Sequence, residues 1–270
     1  MTTTEADRWR VPPGTAVDLA AVDPRSADGV AGKDESAAAL PDLHDRLRSL
    51  QERLWAEHTR SLLVVVQAID AGGKDGTIKH LFLGLNPAGV EVVSFKAPSE
   101  EERAHDFLWR IHPHTPGKGE MVIFNRSHYE DVLVVRVHSL VPEDVWRPRY
   151  ELINQFEANL AAAGTRIVKI FLHISKDEQA ERFQARIDDP TKCWKFRVGD
   201  LADRQRWDDY RKAFEEAVSR TSTEHAPWYV VPADRKWYRN WAVSRIVVET
   251  LEAMDPRYPS CAELEGVTVT

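Results

Sequence analysis

The 270-residue chain contains few of the features that mark secreted, membrane-spanning or metal-cluster proteins. It has only two cysteines, Cys193 and Cys261, which form neither a disulfide framework nor a metal-binding spacing. No run of about 18 apolar residues is present that could form a transmembrane helix. The first residues also lack the basic-then-apolar pattern of a signal peptide. We therefore expect a cytoplasmic protein with no membrane partner.

The chain also lacks an excess of basic residues. Its 36 Lys and Arg residues face 43 Asp and Glu residues, which gives a net charge of −7. General nucleic-acid-binding proteins usually carry a basic excess, so we expect no nucleic-acid partner. A polyanionic ligand would need a local basic patch.

Short apolar segments alternate with helix-like segments along most of the chain. Strands are predicted over 62–68, 90–95, 121–124, 167–174 and 228–231, and helices over 40–54, 99–111, 149–163, 176–187, 201–220 and 236–254. This alternation predicts an α/β fold, a doubly wound parallel five-stranded sheet with helices on both faces. We expect an irregular N-terminal arm over 1–35, disordered or lying on the surface, a single domain over 36–256 and a tail over 257–270.

The strongest local signal is the segment 62–80, in which an apolar strand leads through a glycine-containing turn into a helix. This order predicts a phosphate cradle of backbone N–H groups at a helix N-terminus, as in P-loop proteins. The strict P-loop pattern is not met, because Ala68 replaces its first glycine and Asp75 replaces its Ser or Thr. Glycine-rich turns also occur for packing, which is the alternative. The predicted phosphate-binding residues are Gly72, Gly73, Lys74, Asp75, Gly76 and Thr77.

Two carboxylates, Asp70 and Asp75, belong to a loop that is built for a polyanion. They would repel that ligand unless a cation lay between them and the phosphate oxygens. We therefore predict a Mg²⁺ site with Asp70 as the metal ligand, and Mn²⁺ as an alternative ion. Asp75 has an equally good alternative role as a first-turn acid that stabilises the helix dipole.

Polar side chains follow the third predicted strand, over residues 125–131. Ligands of open α/β sheets bind beyond the carboxyl ends of the strands. Arg126 could hold a phosphate there, and Glu130 or Asp131 could contact a metal or a ribose. A polar helix start with Ser127 as its N-cap explains the same pattern equally well.

A basic segment over 182–200 is the third candidate feature. Its basic residues are Arg182, Arg186, Lys192, Lys195 and Arg197. Arg182 and Arg186 are four residues apart and share a helix face. The segment resembles a mobile lid over phosphates. Acidic residues are interspersed, so the pattern alone slightly favours an ordinary solvated face.

With these features, the sequence resembles the family-2 polyphosphate kinases, which are P-loop phosphotransferases. The resemblance covers nearly the whole chain, from Val11 to about Leu251. The matching stretches are 67–80, 105–112, 124–132, 172–176, 194–196 and 226–234. Their order and spacing are highly specific.

The resemblance implies Mg²⁺-dependent transfer of a phosphoryl group between inorganic polyphosphate and a nucleotide, on a P-loop kinase-like fold with a helical lid. By this resemblance, Asp70 would bind magnesium, Lys74 would bind the phosphates, and Arg126 would hold the phosphate beside the acceptor. These three residues are the predicted catalytic set. The lid that follows the polyphosphate chain would contain Arg182, Arg186, Lys192 and Lys195. We also expect a homodimer or a homotetramer.

The segment after the third strand bears on the acceptor. Asn125 stands where many family members have Asp, and the residues that follow are similar to the subgroup that accepts both AMP and ADP. The resemblance thus implies adenine nucleotides as partners, with Asn125, Arg126, Glu130 and Asp131 at the acceptor.

Two other functions remain open at this point. One is an ATP-dependent nucleoside or nucleotide kinase on the same fold. The other is a nucleotide-binding switch, although the Asn-Lys-x-Asp pattern with which a GTPase reads guanine is absent from the sequence.

Overall fold

A computed structural model describes residues 4–265 and 267–269. The strands are β1 (Arg10–Val11), β2 (Ser61–Gln67), β3 (Val90–Ser94), β4 (Met121–Asn125), β5 (Thr165–His173) and β6 (Trp228–Pro232). The α-helices are α1 (Lys33–Glu57), α2 (Lys74–Leu81), α3 (Glu100–Ala104), α4 (Val134–Val137), α5 (Glu143–Trp146), α6 (Arg149–Ala162), α7 (Lys176–Ile187), α8 (Gly199–Gln205), α9 (Trp207–Thr221) and α10 (Lys236–Met254).

One six-stranded sheet, in the order β1-β6-β5-β2-β4-β3, organises the fold. The pairs formed among strands β2 to β6 are all parallel, whereas β1 pairs antiparallel with β6. The predicted parallel five-stranded sheet is therefore confirmed, and the N-terminal arm adds the sixth strand. Because β2 lies between β4 and β5, the chain changes direction across the sheet at the carboxyl end of β2, where such sheets bind their ligands.

Apolar side chains bury both faces of the sheet. In β2, Leu62, Val64 and Val66 join the core under α1, α2 and α10, whereas Leu63 and Val65 join the core under α6 and α9. This alternation follows from the two-residue period of a strand. Among the described residues, no helix combines the length and the apolar character that a membrane span needs.

Two predicted helices differ from the prediction, one by ending early and one by being divided. The helix predicted over 99–111 ends at Ala104, and the Asp106 carboxylate then accepts the Leu108 N–H at 3.0 Å in a local turn that competes with the helix. The helix predicted over 201–220 is divided between α8 and α9 at Arg206. The Arg206 guanidinium donates to the Val137 carbonyl at 2.7 Å, an interaction that a local pattern does not reveal.

The described part of the N-terminal arm lies on the surface along a fixed path. The Trp9 ring is buried, and its Nε1–H donates to the Tyr238 hydroxyl at 3.1 Å. Further along, the Val17 N–H donates to Ser219 Oγ at 2.9 Å, and Leu19 is buried. The arm therefore packs on the same cores as the rest of the chain.

A buried ion pair joins β5 to α6, and a hydrogen bond from the same lysine reaches the turn that follows β4. Lys169 Nζ donates to Glu157 Oε2 at 2.5 Å and to the Tyr129 hydroxyl at 2.9 Å, and all three side chains are buried. Burial lowers the pKa of Lys169, and the Glu157 carboxylate opposes that effect. Tyr129 belongs to the 3₁₀ turn His128–Asp131, so this network fixes the segment that carries the predicted acceptor residues.

We expect Lys169→Met to lower the free energy of unfolding by about 3–5 kcal/mol, because Glu157 would remain buried without its cation. The double change Lys169→Met with Glu157→Gln should recover most of the loss, since neither charge is then buried. Urea denaturation measures both values. Lys212→Met, on the exposed side of α9, is the matched control and should leave stability nearly unchanged. A double variant as unstable as the single variant would contradict the assignment.

Candidate functional site

The phosphate loop is a tight turn between β2 and α2. The Gly72 N–H donates to the Ile69 carbonyl at 2.9 Å, and a Cβ at Gly72 would lie 2.4 Å from the Ala68 Cβ. Gly73 has a φ of 101°, in the left-handed region that glycine adopts without strain. The turn therefore requires glycine at both positions, and α2 begins directly after it at Lys74.

Lys74 is buried inside this turn. Its Nζ donates to the Ala68 carbonyl at 2.9 Å. Burial lowers the pKa of Lys74, whereas the nearby Asp70, Glu130 and Asp75 carboxylates oppose that change. An ammonium group has three donor hydrogens, so beyond this bond it can still bind phosphate oxygens.

Arg126 and Asp70 join the ends of two neighbouring strands, β4 and β2. Arg126 Nη2 donates to Asp70 Oδ1 at 2.8 Å, and Arg126 Nη1 lies 4.0 Å from Glu130 Oε2. Burial would lower the pKa of Arg126, but the Glu130 and Asp70 carboxylates outweigh it and raise the value. The residues predicted as the catalytic set, Asp70, Lys74 and Arg126, thus lie in one cluster together with Glu130.

The carboxylates of this cluster fit a magnesium ion that is shared with phosphate. Among the described residues there is no group of three or more His, Cys, Asp or Glu side chains arranged around a metal. Mg²⁺ in phosphoryl-transfer sites is usually held by one or two carboxylates, with water and phosphate oxygens as the other ligands. The Asp70 carboxylate is near enough to Glu130 to raise the pKa of Glu130, and these two side chains could supply those carboxylates.

A cavity of about 120 Å³ opens beside the cluster. Asp70, Arg126 and Glu130 form its charged wall, and Leu133 and Phe214 form an apolar wall. A charged group that entered this cavity would meet the Arg126 guanidinium and the carboxylates of the wall, while the rest of its surface faced apolar side chains.

Asp75 lies in the first turn of α2 between two partners. The Asn125 amide donates to Asp75 Oδ1 at 2.9 Å, and Lys195 Nζ lies 3.7 Å from Asp75 Oδ2. An Asp at position 125 would instead bring a second carboxylate to this point, so the amide suits its partner. The contact of Lys195 shows that the basic segment reaches the phosphate loop.

Arg182 occupies a different place from the rest of the basic segment. It is buried, donates to the carbonyls of Ala71 at 2.9 Å and Ala233 at 2.6 Å, and pairs with Glu178 at 2.7 Å. The structure therefore places Arg182 behind the phosphate loop, not in the exposed segment with which the sequence pattern grouped it. The physical reason is that α7 packs against the loop and buries this position.

The other two predicted lid residues make local contacts. The Arg186 guanidinium lies 5.9 Å from the centroid of the Phe183 ring. Lys192 is exposed and pairs with Asp189. Neither contact joins these side chains to the phosphate loop, so their role in polyphosphate binding stays a prediction.

Thr77 and Asp131 each use their side chain in a structural contact. The buried Thr77 hydroxyl donates to the Gly73 carbonyl at 3.1 Å within α2. Asp131 accepts from Arg149 Nη1 at 3.0 Å, and burial raises its pKa to about 6 against the effect of that guanidinium. The sixth predicted loop residue, Gly76, is exposed.

Three residues of the site were not predicted from the sequence. Gln179 donates to the Asp70 carbonyl at 2.9 Å, Tyr210 lines the cavity, and Arg239 packs against the phosphate loop. Gln179 lies three residues before Arg182, so the shared helix face was a usable signal. Tyr210 and Arg239 come from α9 and α10, and no local pattern indicates that these helices approach the loop.

The strand order, the phosphate loop and the charged cluster at the end of β2 define a P-loop kinase-like α/β protein. The family model described as Polyphosphate kinase 2 matches residues 30–259. The chain therefore belongs to the polyphosphate kinase 2 family, as the sequence motifs indicated.

Similar proteins of known name agree with this family. An AMP/ADP-polyphosphate phosphotransferase from Meiothermus ruber is 56% identical over 93% of this chain and 95% of its own length. An ADP-polyphosphate phosphotransferase from Rhodopseudomonas palustris is 45% identical over 93% of this chain and 91% of its own. The crystal structure of Polyphosphate Kinase 2 from Arthrobacter aurescens TC1 has a TM-score of 0.92 at 44% identity, over 96% of this chain and 93% of that chain.

The partly buried position of Glu130 has a consequence for stability. Burial raises its pKa above the ordinary 4.5, although Arg126 and Lys74 oppose the change. The folded state then binds this proton more tightly than the unfolded state, so this group destabilises the fold as pH rises above about 4.5 and has no such effect below it.

We therefore expect Glu130→Gln to be at least as stable as the wild type at neutral pH and to lose less stability as pH rises from acidic values. Urea denaturation at a series of pH values measures the difference. Glu151→Gln, on the exposed side of α6, is the matched control for the loss of one acidic group. A Glu130→Gln variant that is less stable than the wild type at neutral pH would show that Glu130 is held by its cations.

Proposed function

We propose that this protein transfers phosphoryl groups between inorganic polyphosphate and adenine nucleotides, converting AMP to ADP and ADP to ATP, reversibly in principle. The observation that carries the proposal is the cluster of Lys74, Arg126, Asp70 and Glu130 at the phosphate loop. The names of the relatives, an AMP/ADP-polyphosphate and an ADP-polyphosphate phosphotransferase, support these substrates.

The charges of the cluster suit this reaction. Phosphoryl transfer asks the protein for in-line positioning and for neutralisation of oxygen charge. Polyphosphate offers neither a base nor a sugar, so only cations and N–H donors can hold it. Lys74 and the planar fork of Arg126 supply both, and Lys195 adds a third charge from the basic segment.

In the transfer step, an ionised oxygen of the acceptor's terminal phosphate attacks the terminal phosphorus of polyphosphate. A new O–P bond forms as the bond from that phosphorus to its bridging oxygen breaks, and the shortened chain departs with the electron pair. A phosphate monoester has its second pKa near 6, so at neutral pH the attacking oxygen has already lost its proton. Arg126 would hold the acceptor phosphate, and Lys74 the donor.

We propose Asp70 as the protein ligand of Mg²⁺, with Mn²⁺ as an alternative ion and Glu130 as a second carboxylate. Bound magnesium would neutralise charge on the phosphate oxygens. Arg126 orients the Asp70 carboxylate through the 2.8 Å bond, and Gln179 holds the Asp70 carbonyl, so the metal ligand is fixed before substrate binds.

We further propose a dual acceptor, in which Glu130 lies at the position where AMP and ADP differ by one phosphate. A carboxylate there disfavours the extra charge of ADP unless a metal lies between them. We also propose a cytoplasmic location, which the free thiols of Cys193 and Cys261 support. A homodimer or homotetramer stays a prediction that the mass in solution would test.

The test is a time course with long-chain polyphosphate, Mg²⁺ and AMP, with the nucleotides separated by chromatography. We expect ADP to appear first and ATP second. Lys74→Ala and Asp70→Ala should each lower kcat by at least about 10²-fold, the scale expected when a charge-stabilising group is lost. Lys118→Ala, exposed at the opposite end of β4, is the control.

Three results would count against the proposal or a part of it. A folded Lys74→Ala protein with near-normal turnover would remove the site assignment. Turnover of AMP with ATP but not with polyphosphate would indicate an ATP-dependent nucleotide kinase. AMP left untouched while ADP reacts would remove only the dual acceptor.

The basic segment gives a separate prediction. If Arg186 follows the polyphosphate chain, Arg186→Ala should lower kcat/KM for long polyphosphate more than for short polyphosphate, because a short donor meets fewer of these charges. Steady-state rates with donors of both lengths measure the ratio. An equal loss with both donors, or no loss, would indicate a solvated helix face.

A further inference from the structure

Arg239 is a buried cation that lies directly beside the phosphate loop. It belongs to α10 and is only 4% exposed. A Cβ built on Gly73 would fall 2.1 Å from Arg239 Nη1, and one built on Gly76 would fall 3.4 Å from Arg239 Nη2. The guanidinium therefore occupies the space that these two glycines leave open at the start of α2.

Within the described part of the chain, no carboxylate pairs with this guanidinium. Its Nε and Nη2 both donate to the neutral Asn240 Oδ1, at 3.1 and 2.7 Å, and Nη1 makes no hydrogen bond to the described residues. Burial and the neighbouring Arg182 guanidinium lower the pKa of Arg239 to about 10. A buried charge without a partner destabilises a fold, so this arrangement requires an explanation.

The adjacent Arg182 shows how a structural arginine is held at the same place. It has a carboxylate partner in Glu178 and donates to the carbonyls of Ala71, Ala233 and Asp234. Arg239 has none of these. Its charge is therefore not explained by the packing of the loop.

The remaining neighbours of Arg239 do not supply a negative charge either. His80 of α2 lies near Arg239. Burial, His44 and Arg239 together lower the pKa of His80 to about 4, so the His80 ring is neutral at physiological pH. The carboxylates of the site, Asp70 and Glu130, engage Arg126 instead. Since no described residue supplies the counter-ion, a bound ligand is its natural source, and next to a phosphate loop that ligand is an anion of the phosphate class.

We propose that Arg239 binds a phosphate unit of the polyphosphate chain, adjacent to the unit held at Lys74, and that this unit is the counter-ion the buried guanidinium lacks. The inference rests on the proposed function. It adds a second anchor for the donor, contributed by α10 beside Gly73.

The test compares Arg239→Met and Arg239→Lys with the wild type. For Arg239→Met we expect the KM for long-chain polyphosphate to rise about 10- to 100-fold, the scale of a lost hydrogen bond to a charged group, while the KM for ADP changes by less than about twofold. The rise in Tm that polyphosphate causes in the wild type should shrink in parallel. Arg239→Lys keeps the charge but not the planar guanidinium, so its KM for polyphosphate and its Tm shift should lie between those of the wild type and Arg239→Met.

The Tm of the ligand-free protein separates binding from a structural role. Because Arg239→Met removes an unpaired buried charge, its ligand-free Tm should equal or exceed that of the wild type. Arg245→Met, on the same helix but paired with Glu5 and Glu249, is the control and should leave the KM for polyphosphate unchanged.

Each other outcome overturns the inference. An unchanged KM and thermal shift in Arg239→Met would do so while leaving the proposed function intact. A variant that unfolds or has a lower Tm, while Arg239→Lys has the wild-type KM, would assign a structural role. A wild type that neither uses polyphosphate nor gains Tm from it would overturn the proposed function as well.

Discussion

The ion pair between Arg126 and Asp70 is the interaction on which the arrangement of the site depends. It joins the ends of β4 and β2, two neighbouring parallel strands, at the point where the sheet binds its ligands. The charges of Arg126 and Lys74 repel each other in a partly buried space, and the Asp70 carboxylate offsets that repulsion. The pair thus stabilises the arrangement of Arg126 and Lys74 beside the loop when no polyanion is bound.

Both partners of this pair are held by interactions further from the site. Gln179 fixes the carbonyl of Asp70, and the Lys169–Glu157 network fixes Tyr129 in the turn that follows Arg126. Charged groups that are fixed before substrate arrives need no reorganisation during the reaction, which is how electrostatic stabilisation becomes effective. The buried polar contacts of β5 therefore serve the site even though they do not touch it.

Local patterns predicted much of this structure. The bounds of α7 and α10 agree with the prediction, and the phosphate loop was found because strand, turn and helix are adjacent in the sequence. Local patterns did not reveal contacts between distant segments. One predicted helix is divided at Arg206, and Arg182 is buried where α7 packs against the phosphate loop, while its predicted role in polyphosphate binding stays a prediction. Arg239 lies 166 positions beyond Gly73 (239 − 73), so only the folded chain brings them together.

The antiparallel pairing of β1 with β6 has a consequence for the order in which the fold is completed. Arg10 pairs with Tyr229 and Val11 with Trp228. β1 therefore cannot pair until β6 has been synthesised, more than 200 residues later. Until then β1 has no neighbour in the sheet. When β6 joins β5, its other edge would be open to a strand from another molecule, and the arm closes it. The strand that is synthesised first is thus the last to pair, and it covers the β6 edge of the sheet against strands from other molecules.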